Sequence, residues 1–209
     1  MTLTADLTTR LLGAIETNSL VFLCGAGLSI PTPSDLPSAI KVAQNCYDTW
    51  LPIEALDPAL RDNVDLLAGH FYSRGDFERV FIKLVPWNDL VSLPNKGHAA
   101  IADLLISRGA HAALSANFDT MIERWAEERK IAMRGALTGQ EAVVFADNTN
   151  PLIKFHGCLQ RDRERTLWTQ NQLTEPVIQA RVTSCSQWLQ LNLPGKHIVV
   201  VGFWTDWAI

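Results

Sequence analysis

The chain has 209 residues, enough for one sizeable core, and nothing in it marks a second. Apolar residues are 47% of the total and charged residues 19%, which excludes a disordered composition. A formal net charge of −4 gives no electrostatic reason for the domain as a whole to bind nucleic acid directly.

Leu7, Leu11, Leu12 and Ile15 recur at helical spacing and predict a helix over about 4–17. The short apolar run Ser19–Cys24 reads as a buried parallel strand, closed by Gly25-Ala26-Gly27-Leu28-Ser29. Pro31, Pro33 and Pro37 make 30–37 a loop. Residues 38–93 read as an interrupted helical insertion, with Asp76–Val85 its best helix. The stripe His98, Ile101, Ala102, Leu105 predicts the next helix, and Ala110–Ser115 a second strand. Phe118, Met121, Ile122 and Trp125 place a helix start near Asn117, with Trp125 on its core face. Glu141–Phe145 and Pro151–Phe155 read as further strands, Gln170–Leu191 as a helix, and His197–Val201 as a final β-branched strand. Strands alternating with helices predict an α/β fold: a Rossmann-like parallel sheet, helices on both faces, a helical insertion after the first strand. A domain of this type continues with another helix after such a strand, so the chain reads as a piece of a longer protein.

No apolar run approaches the roughly 20 residues that span a bilayer, and Met1–Arg10 lacks the layout of a secretory leader, so no membrane partner and a cytoplasmic location are the expectations. Cys24, Cys46, Cys158 and Cys185 form no C-x-x-C pair; they read as free, buried thiols, with no zinc site.

Four segments fall at predicted carboxyl ends of strands, where open parallel sheets bind ligands: Gly25–Ser29, Ser115–Asp119, Lys154–Gly157 and Gly202–Asp206. Glycines at 25 and 27 would let the backbone approach a pyrophosphate, although a plain strand-to-loop turn is an even alternative. The third glycine of the usual dinucleotide fingerprint is replaced by Ile30, and no acidic residue ends a second strand about 20 residues on. Asp119 reads first as a helix cap; Asn117 could cap as well, or use its carboxamide to orient a water or hold a ligand amide. His156, after a strand and before a glycine, suits proton transfer near neutrality. His70, His98, His111 and His197 read as satisfied or exposed, and Arg161–Arg165, alternating in sign, as a solvated loop.

Taken together, Gly-Ala-Gly-x-Ser at 25–29, Asn-x-Asp at 117–119, His-Gly at 156–157 and the strand Val199–Gly202 resemble the sirtuin (silent information regulator) family, in that family's order and over most of the chain. The resemblance implies NAD as substrate, bound without an acidic ribose clamp. Gly25, Ala26, Gly27, Ser29, Gly202 and Asp206 would line the dinucleotide. Asn117 would order the ribose and the attacking water, Asp119 would hold the nicotinamide amide, and His156 would be the general base. The paired cysteines of the deacylating members' zinc module are missing, Ala116 stands where they carry glutamine, and Ser34-Asp35-Leu36-Pro37 replaces their arginine-containing loop. Ser115-Ala-Asn-Phe-Asp119, Lys154-Phe-His-Gly157 and Val201-Gly-Phe-Trp-Thr-Asp206 are similar to bacterial sirtuin-like defence effectors, which hydrolyse NAD. That likeness implies an NAD hydrolase, homo-oligomeric, joined to a sensor such as a short Argonaute-type module or a nucleotide-sensing domain. Two rivals share the cofactor: a protein deacylase or ADP-ribosyltransferase, disfavoured by the missing cysteine pairs, and a non-catalytic NAD or ADP-ribose sensor. A generic Rossmann-type domain ranks last. Trp204 and Trp207 flank the last motif, where packing against core or partner is the first reading and a pocket border the second.

Overall fold

The computed structural model describes residues 4–204; Asp206 and Trp207 lie outside the described residues. The chain begins with α1 (Ala5–Glu16), capped by Thr4, whose hydroxyl accepts from Leu7 N–H. It enters β1 (Leu20–Cys24) and a single 3-10 turn over Ala26–Leu28. The insertion follows: α2 (Ala39–Trp50), α3 (Val64–Ser73), then a π-helical turn (Phe77–Phe81) running into α4 (Ile82–Leu84). Next come α5 (Lys96–Ile106), β2 (Ala110–Ser115), α6 (Met121–Glu128), α7 (Gly139–Val144) and β3 (Leu152–Lys154). α8 (Pro176–Asn192) and β4 (His197–Val201) complete the described elements.

The four strands form one sheet in the order β3-β2-β1-β4, every pairing parallel. Residues of α1, α5 and α6 pack on one face with Leu20, Phe22 and Ala113. Ala142 of α7 with Cys185 and Trp188 of α8 pack on the other, against Val21, Ala112 and Ile153. Alternate β1 residues therefore feed opposite layers, and the fold is the predicted α/β sheet with helices on both faces. The insertion has its own aromatic core around Phe71, Phe77 and Phe81, which reaches the sheet edge through Phe118, Leu159 and Trp168. All four cysteines are free and buried. Among the described residues no helix is long and apolar enough to cross a membrane.

Four local expectations are corrected. Glu141–Phe145 is helical: Thr138 caps α7 through Glu141 N–H at 3.1 Å, and the Glu141 carboxylate reaches back to Leu137 N–H at 2.8 Å. Two reciprocal caps outweigh the strand preference of Val143 and Val144, which stand 67% and 65% exposed. The helix expected from Asn117 begins at Met121, because the polar groups of 117–119 are committed to the sheet edge. The stretch 170–191 is broken: a 3-10 turn covers Gln170–Thr174, Glu175 is extended, and Pro176 opens α8, where a missing N–H is harmless. Trp125 is half-buried, not fully core; its Nε1 donates to Asp103 and the Arg129 guanidinium lies 3.8 Å over its ring.

Candidate functional site

Register settles where the four segments meet. Cys24 is paired with Ser115 on one side and Val201 on the other, and Ser115 with Lys154, so all four strands end on one line. Each polar or glycine-rich segment starts within a residue or two of it. Two further contacts join the segments: Leu159 N–H donates to the Phe118 carbonyl at 2.9 Å, and the Lys154 ammonium donates to the Asp119 carbonyl.

The centre is the Ser29 hydroxyl. It donates to Asp119 Oδ2 at 2.8 Å, accepts from Asn117 Nδ2 at 3.1 Å, and lies 3.1 Å from His98 Nε2. Asn95 N–H donates to His98 Nδ1 at 3.2 Å, so Nδ1 is the bare nitrogen and Nε2 carries the hydrogen toward Ser29. Ser29 thus gives its one hydrogen to Asp119 and fills both lone pairs. The imidazole donates to it and cannot deprotonate it, so the trio is not a nucleophilic triad; it is a hub that holds two side chains in place. Burial pushes the His98 imidazole down, Asp119 pulls it up, and Lys154 adds to the depression.

Asn117 uses its remaining amide hydrogen on the Gly25 carbonyl at 3.0 Å, which fixes its flip and makes its side-chain carbonyl oxygen the remaining acceptor of a residue that lines the cleft described below. Its own N–H is taken by Ser115 Oγ at 3.1 Å. Asp119 Oδ1 accepts from Met121 N–H, the first amide of α6, at 3.2 Å, although the cap position itself is Thr120, and Oδ2 serves the hub. Lys154 is 1% exposed and stays protonated: burial opposes its charge, but Glu123, 3.2 Å away, with Cys158 and Asp119, outweighs it. Gly135 makes room, since a Cβ there would lie 2.5 Å from Lys154 Cδ.

A cleft with about 500 Å³ of empty space, open solvent included, lies over the ends of β1 and β2. Its lining combines the polar Ser29, Asn117 and Asp119 with the apolar Ala26, Leu36, Val42, Leu90, Phe118 and Trp168. Phe118 packs on Trp168 with ring centres 4.5 Å apart. His156 does not line the cleft. It sits half-buried just past β3 beside the Phe155 ring, and burial, helped by the Arg181 charge, pushes its imidazole down to about 4.

The glycines answer first to the protein's own backbone. Gly25 N–H donates to the Val201 carbonyl at 3.0 Å and Gly27 N–H to the Gly202 carbonyl at 2.9 Å. A Cβ on Gly25 would lie 2.5 Å from Phe203 Cα, one on Gly27 2.8 Å from Gly202 Cα, and one on Gly202 would overlap Leu28 N. Gly202 also has φ +60°. Backbone meets backbone there, and the amides of Leu28 and Ser29 close on the Gly25 and Ala26 carbonyls. Trp204, beyond this junction, is 82% exposed and outside the cleft wall.

His98 and Lys154 belong to the site although sequence reasoning gave neither a role in it; the readable signal for His98 was Asn95 three residues before it, whose side chain caps α5 and also binds the Leu28 carbonyl at 2.8 Å. The 161–165 segment is solvated only in part: Arg163, Glu164 and Arg165 are exposed, whereas Arg161 pairs with Glu141 and Asp162 with Arg181. Among the described residues no group of three or more His, Cys, Asp or Glu is arranged to hold a metal ion. A scan against protein-family models finds no match to the chain, and neither does a search of curated proteins.

Proposed function

We propose that the chain is a sirtuin-like NAD glycohydrolase that cleaves the bond between nicotinamide and ribose. The observation that carries this reading is the fixed Asn117 carboxamide in a cleft otherwise lined largely by aromatic and aliphatic side chains. A planar pyridine ring suits Phe118 and Trp168, and its carboxamide suits Asp119. Nicotinamide leaves as a neutral molecule, the electron pair of the broken C–N bond returning to its ring nitrogen, so no acid is needed at the leaving group. A water adds to the anomeric carbon through an oxocarbenium-like transition state, and its proton passes to His156. The Asn117 carbonyl oxygen orients that water by accepting one of its hydrogens. The products are nicotinamide, ADP-ribose and a proton.

By the same resemblance the protein works in the cytoplasm as an effector that drains NAD in antiphage or anti-plasmid defence, in a homo-oligomer with a sensor domain or partner, without binding nucleic acid itself. The test is nicotinamide release from NAD by the longest native form with its partner. Asn117→Ala and His156→Ala should each lower release by about a hundredfold or more while the fold persists. Full activity in either variant would overturn the assignment of that residue. One observation favours the sensor reading: His156 lies off the cleft wall and is a weak base in the unliganded protein. Tight NAD binding with no release in the presence of the partner would establish it.

A further inference from the structure

The chain between β3 and α8 carries site groups at both ends. It leaves past His156, runs through Gly157–Thr166, and returns to Leu167 and Trp168, where Leu167 N–H donates to the His156 carbonyl at 2.8 Å. Trp168, on the cleft wall, is set by the exit of this loop: its Nε1 donates to Thr166 Oγ1 and its N–H to Gln172 Oε1, each at 2.8 Å. Two arginine–carboxylate pairs pin the loop to the helical layer behind it. Arg161 makes two hydrogen bonds, at 2.8 and 2.6 Å, to the two oxygens of Glu141 on α7. Arg181 on α8, only 7% exposed, binds Asp162 Oδ2 and the Arg165 carbonyl, while Asp162 Oδ1 takes Cys158 N–H at 2.6 Å. Gly157, at φ +105°, turns the chain into this clamp.

We propose that Arg181 is a positioning residue for His156, acting through Asp162 and the loop Gly157–Thr166 that the pair closes. The importance of His156 rests on the hydrolase reading, but the placement of Arg181 does not. The loop's entry and exit are tied together, so anchoring Asp162 anchors the His156 main chain and the Trp168 wall as one unit. Burial, the larger cause, and the charge of the same arginine both hold the His156 imidazole below its ordinary value. The charged groups on the surrounding elements are Lys154 on β3, Arg161, Asp162, Arg163, Glu164 and Arg165 on the loop, Glu141 on α7 and Arg181 on α8. Lys154 is spent on Glu123 and Arg161 on Glu141. The Arg181 cation is the one that works with burial against protonation of His156. His156 is therefore neutral at physiological pH.

The test is the pH titration of the His156 ring resonances by NMR in the histidine-labelled chain, compared among wild type, Arg181→Gln, Arg181→Lys and Asp162→Asn. Removing the cation in Arg181→Gln should raise the titration midpoint by about half a unit or more, and Arg181→Lys should stay near wild type. Asp162→Asn breaks the same clamp from the loop side, so its midpoint should rise as well, with the His98 and His111 midpoints unchanged in both variants. An unchanged His156 midpoint in either Arg181→Gln or Asp162→Asn, or a rise shared by His98 and His111, would overturn the proposal. If Arg181→Gln does not fold, Asp162→Asn decides alone: a rise confined to His156 supports the proposal, and an unchanged or lower midpoint overturns it. Nicotinamide release in the same proteins reads the other question. Both shifts with no release even in the partnered wild type would keep Arg181 in its role and remove the hydrolase reading.

Discussion

The two halves of the sheet edge use the same β1 exit in opposite ways. Between β1 and β4 the chain is closed by backbone, with Gly25 and Gly27 each against Gly202. Between β1 and β2 it is held apart by side chains, with Ser29 tying Asn117, Asp119 and His98 around an open cleft. The Gly-Ala-Gly-x-Ser segment is thus two devices in one: its glycines weld β1 to β4, and its serine builds the site. Glycine here answers a steric demand from the protein's own chain, so the motif does not by itself indicate a phosphate.

The largest effect should come from breaking the weld. In Gly202→Ala a methyl would overlap Leu28 N at a positive φ, combining overpacking against backbone with left-handed strain. The expected loss is about 2–5 kcal/mol in urea unfolding. A loss under about 1 kcal/mol would mean that the junction opens easily, and the contrast between the two sides would fall.

The hub should respond next. Ser29→Ala removes the acceptor of Asn117 and His98 and the donor to Asp119, all buried. Leaving such groups unpaired costs about 1–3 kcal/mol, so stability should drop by that order. Nicotinamide release should fall as well, because the Asn117 flip is then fixed by Gly25 alone. A stable, fully active Ser29→Ala would show that the hub is ornamental to both fold and site.

Much of this architecture was legible and some was not, for physical reasons. β1, β2 and β4 are short apolar runs bounded by turn residues, and their reading matched within a residue. Asn117 and Asp119 were legible because polar residues directly after a buried strand must answer to something. His98 was not: its helical stripe predicts burial equally for a leucine, and only the fold brings it across to Ser29, 69 residues away. Arg161 and Asp162 misled because alternating charge reads as solvated until tertiary contact supplies Glu141 and Arg181 as partners. The Val143-Val144 pair misled because local propensity lost to two caps.

Titration gives a finer test. His98 and His156 beside the site and His111 on β2 are each pushed below the ordinary imidazole value, chiefly by burial. The Lys154, Arg181 and Lys196 charges add to this in turn, and Asp119 opposes it at His98. Below the unfolded value of about 6.5 the unfolded chain binds these protons and the folded chain does not. Their stabilisation is therefore complete above about pH 6.5 and is lost as pH falls toward the folded values, at up to about 1.4 kcal/mol per pH unit for each histidine. Urea midpoints from pH 8 to 5 should be flat and then fall, and His98→Gln should shallow the fall by one histidine's share. The glycine junction, being backbone, should contribute nothing to this slope.

The smallest effect is also the sharpest for deciding where a ligand lies. Trp204 is 82% exposed beyond the weld and contributes nothing to the cleft wall, so Trp204→Ala should change stability by less than about 0.5 kcal/mol. It should leave NAD binding unchanged as well, whereas Trp168→Ala, which removes the ring packed on Phe118, should weaken it. The pair of measurements weighs the two sides of β1 directly. Loss of binding in both would mean that the dinucleotide crosses the glycine junction and reaches β4, as the sheet's reversal of strand order there allows. Loss in Trp168→Ala alone would confine the ligand to the side that Ser29 organises.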